Sequence, residues 1–221
     1  MIAIMLAGTS AMLVSLFGTR WLIAFFRQRG QGQPILGKDD HGPEHHMLKQ
    51  GTPTMGGIAI VGAAFVGWMI AHIRRGLAFS DQTMIVWVSV LFMALMGFLD
   101  DFIKVRKRHN RGIFWKQKNY ITMVASVLMA WWLVAATGIS ETINVTRGDV
   151  GIEVPTAVWV LWAGMIIWAT TNAVNVTDGL DGLASGSALM GFGAFTIIAY
   201  WAFRNPDIYG TVVNPLDMGV F

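Results

Sequence analysis

Apolar residues come in six long blocks, from Ile2 to about Phe26, Ile58 to Ile73, Met84 to Leu99, Tyr120 to Thr137, Ala157 to Val174 and Ser187 to Phe203. Crossing about 30 Å of hydrocarbon takes roughly 20 helical residues, so the blocks predict an all-α, polytopic transmembrane helical bundle of about six spans. No Lys or Arg precedes the first block, which therefore reads as a retained helix and not as a cleavable leader. Arg20, near its end, is placed to snorkel to the interface. Between the fourth and fifth blocks, Gly138 to Pro155 alternates β-branched and polar residues around Arg147-Gly148-Asp149, the pattern of a short hairpin on the outer, periplasmic surface. Gly186, Gly191 and Gly193 are expected to seat the sixth helix closely on a neighbour.

Composition agrees with this pattern. Of 221 residues 54% are hydrophobic and 13% charged, where a soluble domain carries about 25% charged. The chain is expected to form a single integral-membrane domain over residues 1 to 221. With no Cys, neither a disulfide framework nor thiol chemistry enters. The net charge of +3 does not point to nucleic acid, because the basic residues lie between apolar spans, where they set topology. The first, third and fifth loops share one side and hold eleven Lys and Arg residues (Arg27, Arg29, Lys38, Lys49 and seven from Lys104 to Lys118), while Arg74, Arg75, Arg147 and Arg204 lie opposite. The richer side is expected in the cytoplasm and the N-terminus outside.

Polar chemistry concentrates on that side. After the fifth span comes Asn172-Ala-Val-Asn175-Val-Thr-Asp178-Gly-Leu-Asp181-Gly182, with an amide or acid at every third position. In an α-helix these step about 60° around the axis and form one ribbon, and Gly179 and Gly182 predict that its second half leaves the helix. The third span ends on Asp100-Asp101-Phe-Ile-Lys104. Two acids at an interface are costly if buried, and acids at a helix C-terminus oppose the macrodipole, so the pair is a functional candidate. Ahead of the second span stands Lys49-Gln-Gly51-Thr-Pro-Thr54-Met-Gly56-Gly57, where Thr54 can cap the helix and the glycines admit a close approach. His41, His45 and His46 read as a solvated loop and not as a metal site.

Carboxylates and amides are hard ligands suited to Mg²⁺, which typically takes one or two carboxylates and completes its shell with substrate phosphates. Lys49, Lys104 and Lys116 supply point charges for phosphate oxygens. Metal, phosphate and lipid together point to phosphoryl transfer. An alternative of another class, a transporter with a proton relay, fits less well because the acids gather at one interface.

These motifs together resemble the phospho-N-acetylmuramoyl-pentapeptide transferases, of the polyprenyl-phosphate N-acetylhexosamine-1-phosphate transferase superfamily. The resemblance rests on Lys49 with Gly51 to Gly57, on Leu99 to Lys104 and on Thr171 to Ala184. It implies a Mg²⁺-dependent enzyme of the bacterial plasma membrane. Such an enzyme would transfer phospho-N-acetylmuramoyl-pentapeptide from its UDP-linked precursor to undecaprenyl or a similar polyprenyl phosphate, releasing UMP and giving lipid I. By the same resemblance Asp100 and Asp101 are catalytic, and Asn175 faces phosphate or metal beside an acid that this chain lacks. Asp181 reads the uracil with Asp178 and Asn172 around the nucleotide, and Lys49, Thr54, Lys104 and Lys116 line the approaches. A UDP-GlcNAc enzyme of the same chemistry is the nearest alternative. The family implies further spans, so the chain is expected to be an N-terminal portion, inactive alone. Its unpartnered faces would then be left to lipid or to a second copy in a homodimer.

Overall fold

A computed structural model of the chain describes residues 2–29, 55–75, 79–107, 112–144, 151–178, 182–209 and 215–220. Six long helices carry it: α1 (Ile2–Gln28), α2 (Gly57–Arg75), α3 (Asp81–Lys107), α4 (Trp115–Thr137), α5 (Thr156–Thr177) and α6 (Leu183–Arg204). Two short ones follow, α7 (Pro206–Tyr209) and α8 (Pro215–Val220). Five of the six long helices are long and apolar enough to cross a membrane, and α2 is apolar over the shorter stretch Gly57–Ile73. The protein is a multi-pass, all-α membrane protein. Its large apolar side chains lie mostly on the outside of the fold, Leu189, Met190 and Ile197 of α6 among them, as lipid solvation requires.

The hairpin expected between α4 and α5 is present. Strand β1 (Thr142–Asn144) pairs antiparallel with β2 (Gly151–Glu153), with Ile143 opposite Ile152. Gly138 closes α4 at φ 59°, a left-handed conformation that costs glycine nothing, and its N–H donates to the Val134 carbonyl. Glu141 then ties the hairpin to the start of α5 twice: its carbonyl accepts from the Val154 N–H at 3.0 Å, and its carboxylate from the Thr156 hydroxyl at 2.9 Å.

The chain divides into two compact units. In the unit holding α1, α2 and residues 90 to 118, α1 and α2 pack through small residues. A Cβ on Gly67 would stand 2.5 Å from the Ala7 carbonyl oxygen and 2.8 Å from Ala11 Cβ, so only glycine permits this approach. In the second unit, residues 79 to 89 and 119 to 219, the core gathers Ala130 of α4 with Trp159 and Val160 of α5. Gly164 there meets the backbone of Val127, where a Cβ would come within 2.9 Å. Close helix contacts thus fall at Gly67 and Gly164. Gly186, Gly191 and Gly193 were expected to serve that purpose, but among the described residues a Cβ at any of them meets nothing within 4 Å. The same holds for Gly56 and Gly57.

The second unit also contains a buried carboxylate. Asp217 Oδ2 accepts from Ser80 Oγ at 2.6 Å, Thr83 Oγ1 at 2.7 Å and the Ser80 N–H at 3.3 Å, at the first turn of α3. An anion at a helix N-terminus is favoured by the macrodipole, and these charge-assisted bonds pin residues 215–220 to α3. Asp217→Ala strands several buried donors and is expected to cost about 1 to 3 kcal/mol. The check is a lowered unfolding temperature in detergent, and an unchanged temperature would contradict this role.

Candidate active site

Asp100 and Asp101 do not end a helix. α3 continues past them to Lys107, and the last turn supplies Lys104, Arg106 and Lys107 against the macrodipole. The expectation of a span stopping at the acid pair is corrected accordingly: the apolar pattern ends at Leu99, but the helical backbone persists because Lys104, Arg106 and Lys107 are good helix formers that suit its last turn. Neighbouring positions differ by about 100° around the axis, which turns Asp100 inward and Asp101 outward. Asp100 is buried, while the Asp101 side chain is 33% exposed.

The groups around Asp100 account for its burial. Lys104 Nζ, one helical turn on, lies 2.8 Å from Asp100 Oδ2, and Lys118 Nζ, in the first turn of α4, lies 3.4 Å from the same oxygen. The other oxygen, Oδ1, accepts the backbone N–H of Ile113 at 2.8 Å. Asp101 Oδ1 meets Lys104 Nζ at 3.4 Å. Two carboxylates and two ammonium groups therefore form one cluster within a single compact unit, at the polar end of an apolar helix. Its charges nearly balance, which makes their partial removal from water affordable.

Lys116, expected to line the phosphate approach, lies elsewhere. Its ammonium sits 5.5 Å over the Trp115 ring and the residue is exposed. Lys118 occupies the position next to the acids. A lysine in the first turn of a helix opposes the macrodipole and so signals a compensating acid, but Lys116 and Lys118 share that signal. The sequence alone does not choose between them.

The ladder belongs to the second unit. α5 stays α-helical through Asn172 and Asn175, and Asp178 is its C-cap, donating its N–H to the Val174 carbonyl at 3.0 Å. Asn172 is half-buried and donates through Nδ2 to the Trp168 carbonyl at 2.8 Å. Trp168 Nε1 in turn donates to Asn119 Oδ1 of α4 at 3.0 Å, which fixes α5 against α4 one turn before the ladder. Asn175 and Asp178 are exposed. Gly182 holds φ 83° as α6 begins, so the ladder has left the helix by that point, and Gly179 lies outside the described residues. Lys49, Thr54 and Asp181 lie outside the described residues, as do His41, His45 and His46. The motif around Lys49 enters α2 through Met55, at φ 69°, a left-handed value uncommon outside glycine.

Comparison with known proteins falls on these same segments. The profile of glycosyl transferase family 4 matches residues 83–215, which include the acid pair, both lysines and the ladder. The chain belongs to glycosyl transferase family 4. A signature of the phospho-N-acetylmuramoyl-pentapeptide-transferases matches residues 49–61, across the Gly-Thr-Pro-Thr motif. Proteins of that name include one from Frankia alni, 41% identical over 98% of this chain and 64% of its own length. Others come from Frankia casuarinae, 41% identical over 91% of this chain and 58% of its own length, and from Mycobacteroides abscessus, at 38%, 98% and 64%. The chain thus spans roughly three fifths of the length of these curated relatives.

Among the described residues, no three His, Cys, Asp or Glu side chains gather as a metal site. Mg²⁺ does not need such a group, since it commonly takes one or two carboxylates and keeps water and phosphate oxygens for the rest. Asp101 suits that use: it is a partly exposed hard carboxylate with one oxygen at 3.4 Å from an ammonium group. Asp100, engaged at both oxygens, suits it less.

Proposed function

We propose that this chain forms the acidic and nucleotide-facing part of an enzyme that transfers phospho-N-acetylmuramoyl-pentapeptide from its UDP-linked precursor to polyprenyl phosphate. An oxygen of the lipid phosphate forms a bond to the sugar-linked phosphorus, the bond from that phosphorus to the bridging oxygen breaks, and UMP leaves with the oxygen. The product is the lipid-linked diphosphate, lipid I. The observation that carries this reading is the Asp100 cluster: a buried carboxylate held by two lysines where the apolar part of α3 gives way to its polar last turns. Its ammonium groups suit phosphate oxygens, and its place beside the apolar part of the helix suits a substrate that is half lipid.

In this reading Lys104 and Lys118 orient phosphate oxygens and spread their charge, while Asp100 holds the two ammonium groups in place and takes a proton from the lipid phosphate. Asp101 would hold Mg²⁺, which would supply charge neutralisation for a diphosphate when bound. Asn172 and Asp178 serve the nucleotide, with Asp181 accepting from the uracil N–H, and Asn175 faces phosphate or metal. The bias of Lys and Arg supports motif loops in the cytoplasm, where a soluble UDP-sugar is met, and an N-terminus outside.

The test is UMP release by the natural protein in bacterial plasma membranes, given UDP-MurNAc-pentapeptide and polyprenyl phosphate, with and without Mg²⁺. Release that needs all three supports the proposal. Release with UDP-GlcNAc in place of the muramoyl substrate would assign the chain to the other branch of this chemistry, and release with neither donor would overturn the proposal.

A further inference from the structure

Gly112 and Ile113, just ahead of α4, lie directly against the Asp100 carboxylate. A Cβ built on Gly112 would overlap Asp100 Oδ1, and it would stand 2.7 Å from Asp100 Cγ and 2.9 Å from Lys104 Cε. The next residue, Ile113, turns its N–H onto Oδ1 at 2.8 Å. Gly112 has no positive φ, so its lack of a side chain serves space and not backbone conformation. The nearest groups that such a side chain would strike are side-chain atoms of Asp100 and Lys104 and not backbone. A larger residue at 112 could therefore be accommodated at little cost to the fold by turning the carboxylate away.

We infer that Gly112 and the Ile113 N–H form a positioning element for Asp100, which locks its Oδ1 and leaves Oδ2 aimed at Lys104 and Lys118. A carboxylate on a helix has two free torsions, and one hydrogen bond to each oxygen from different directions removes that freedom before substrate arrives. Oδ1 is held from the loop and Oδ2 from the helix and from α4. Gly112 and Ile113 thereby set which face of the carboxylate reacts. Neither residue touches substrate in this scheme. This inference rests on the phosphotransfer proposed above.

Gly112→Ala in the natural membrane protein tests it. The expected result is a kcat for UMP release reduced at least about tenfold, a KM for the UDP-sugar changed less than about twofold, and membrane abundance and unfolding temperature close to those of the parent. A group displaced by about 1 Å commonly costs this much or more in rate. Ile113→Pro is the companion, because it removes the N–H donor while leaving Gly112 in place. It is expected to lower kcat in the same way, and it carries the test if Gly112→Ala fails to accumulate. Normal kcat in a folded Gly112→Ala protein, or a loss expressed in KM alone, would overturn the positioning role. An inactive parent would instead overturn the phosphotransfer reading, so the two failures are distinguishable.

Discussion

Asp100→Asn is expected to lower turnover at least about a hundredfold while the protein remains folded in the membrane. Asparagine keeps the shape, and its carbonyl oxygen can still accept from the Ile113 N–H that now bonds Oδ1. What disappears is the negative charge facing Lys104 at 2.8 Å and Lys118 at 3.4 Å, together with the capacity to take a proton. Removing one preorganised charged group at a phosphoryl centre typically costs several kcal/mol of barrier, and a hundredfold corresponds to about 2.7 kcal/mol. Stability should change far less, because the two lysine side chains are 22% and 30% exposed and water can solvate them once the partner is neutral. Asp101→Asn should fall by a comparable factor through the metal-holding role proposed for it. The measurement is UMP release set beside membrane abundance and thermal unfolding, and near-normal turnover in both variants would dispose of the catalytic assignment.

How much of this was legible in the chain depends on the range of the interaction. The helices were, since long apolar blocks have one solution in a bilayer, and the hairpin was, since its alternation is local. The end of α3 was misplaced because hydropathy marks where lipid stops and not where helix stops, and Lys104, Arg106 and Lys107 are good helix formers that carry it on. The glycines of α6 looked like a packing face by spacing alone, yet Gly67 and Gly164, which spacing does not distinguish, make the close contacts. At the site, the acid pair and Lys104 could be read because they share one helix. Lys118, the Ile113 N–H and the Asn119 to Trp168 bond could not, because each depends on how a loop or a neighbouring helix returns.

The second large effect separates two lysines that the sequence leaves equivalent. Lys118→Ala is expected to reduce turnover at least about tenfold more than Lys116→Ala does. Both lie in the first turn of α4, two residues apart, and so point about 160° away from each other around the axis. One consequence is that only one can face the acids. Lys118 Nζ reaches Asp100 Oδ2 at 3.4 Å, whereas the Lys116 ammonium rests over the exposed Trp115 ring at 5.5 Å. A cation–π contact at an exposed position is worth about 0.5 to 1 kcal/mol and orders nothing at the acids. Losing Lys118 removes a positive charge from beside the phosphate of the proposed transfer and leaves Asp100 with Lys104 as the one ammonium group among those described near Oδ2. Electrostatic groups of this kind act on the charge that develops in the transition state, so the loss should appear in kcat more than in KM for the UDP-sugar. Lys118→Arg keeps the charge but spreads it over a planar fork that a single oxygen cannot match, and it is expected to recover only part of the rate. Kinetics of UMP release for the three variants side by side decide the matter: equal losses in Lys116→Ala and Lys118→Ala, or a larger loss in Lys116→Ala, would return the phosphate contact to Lys116 and remove Lys118 from the site.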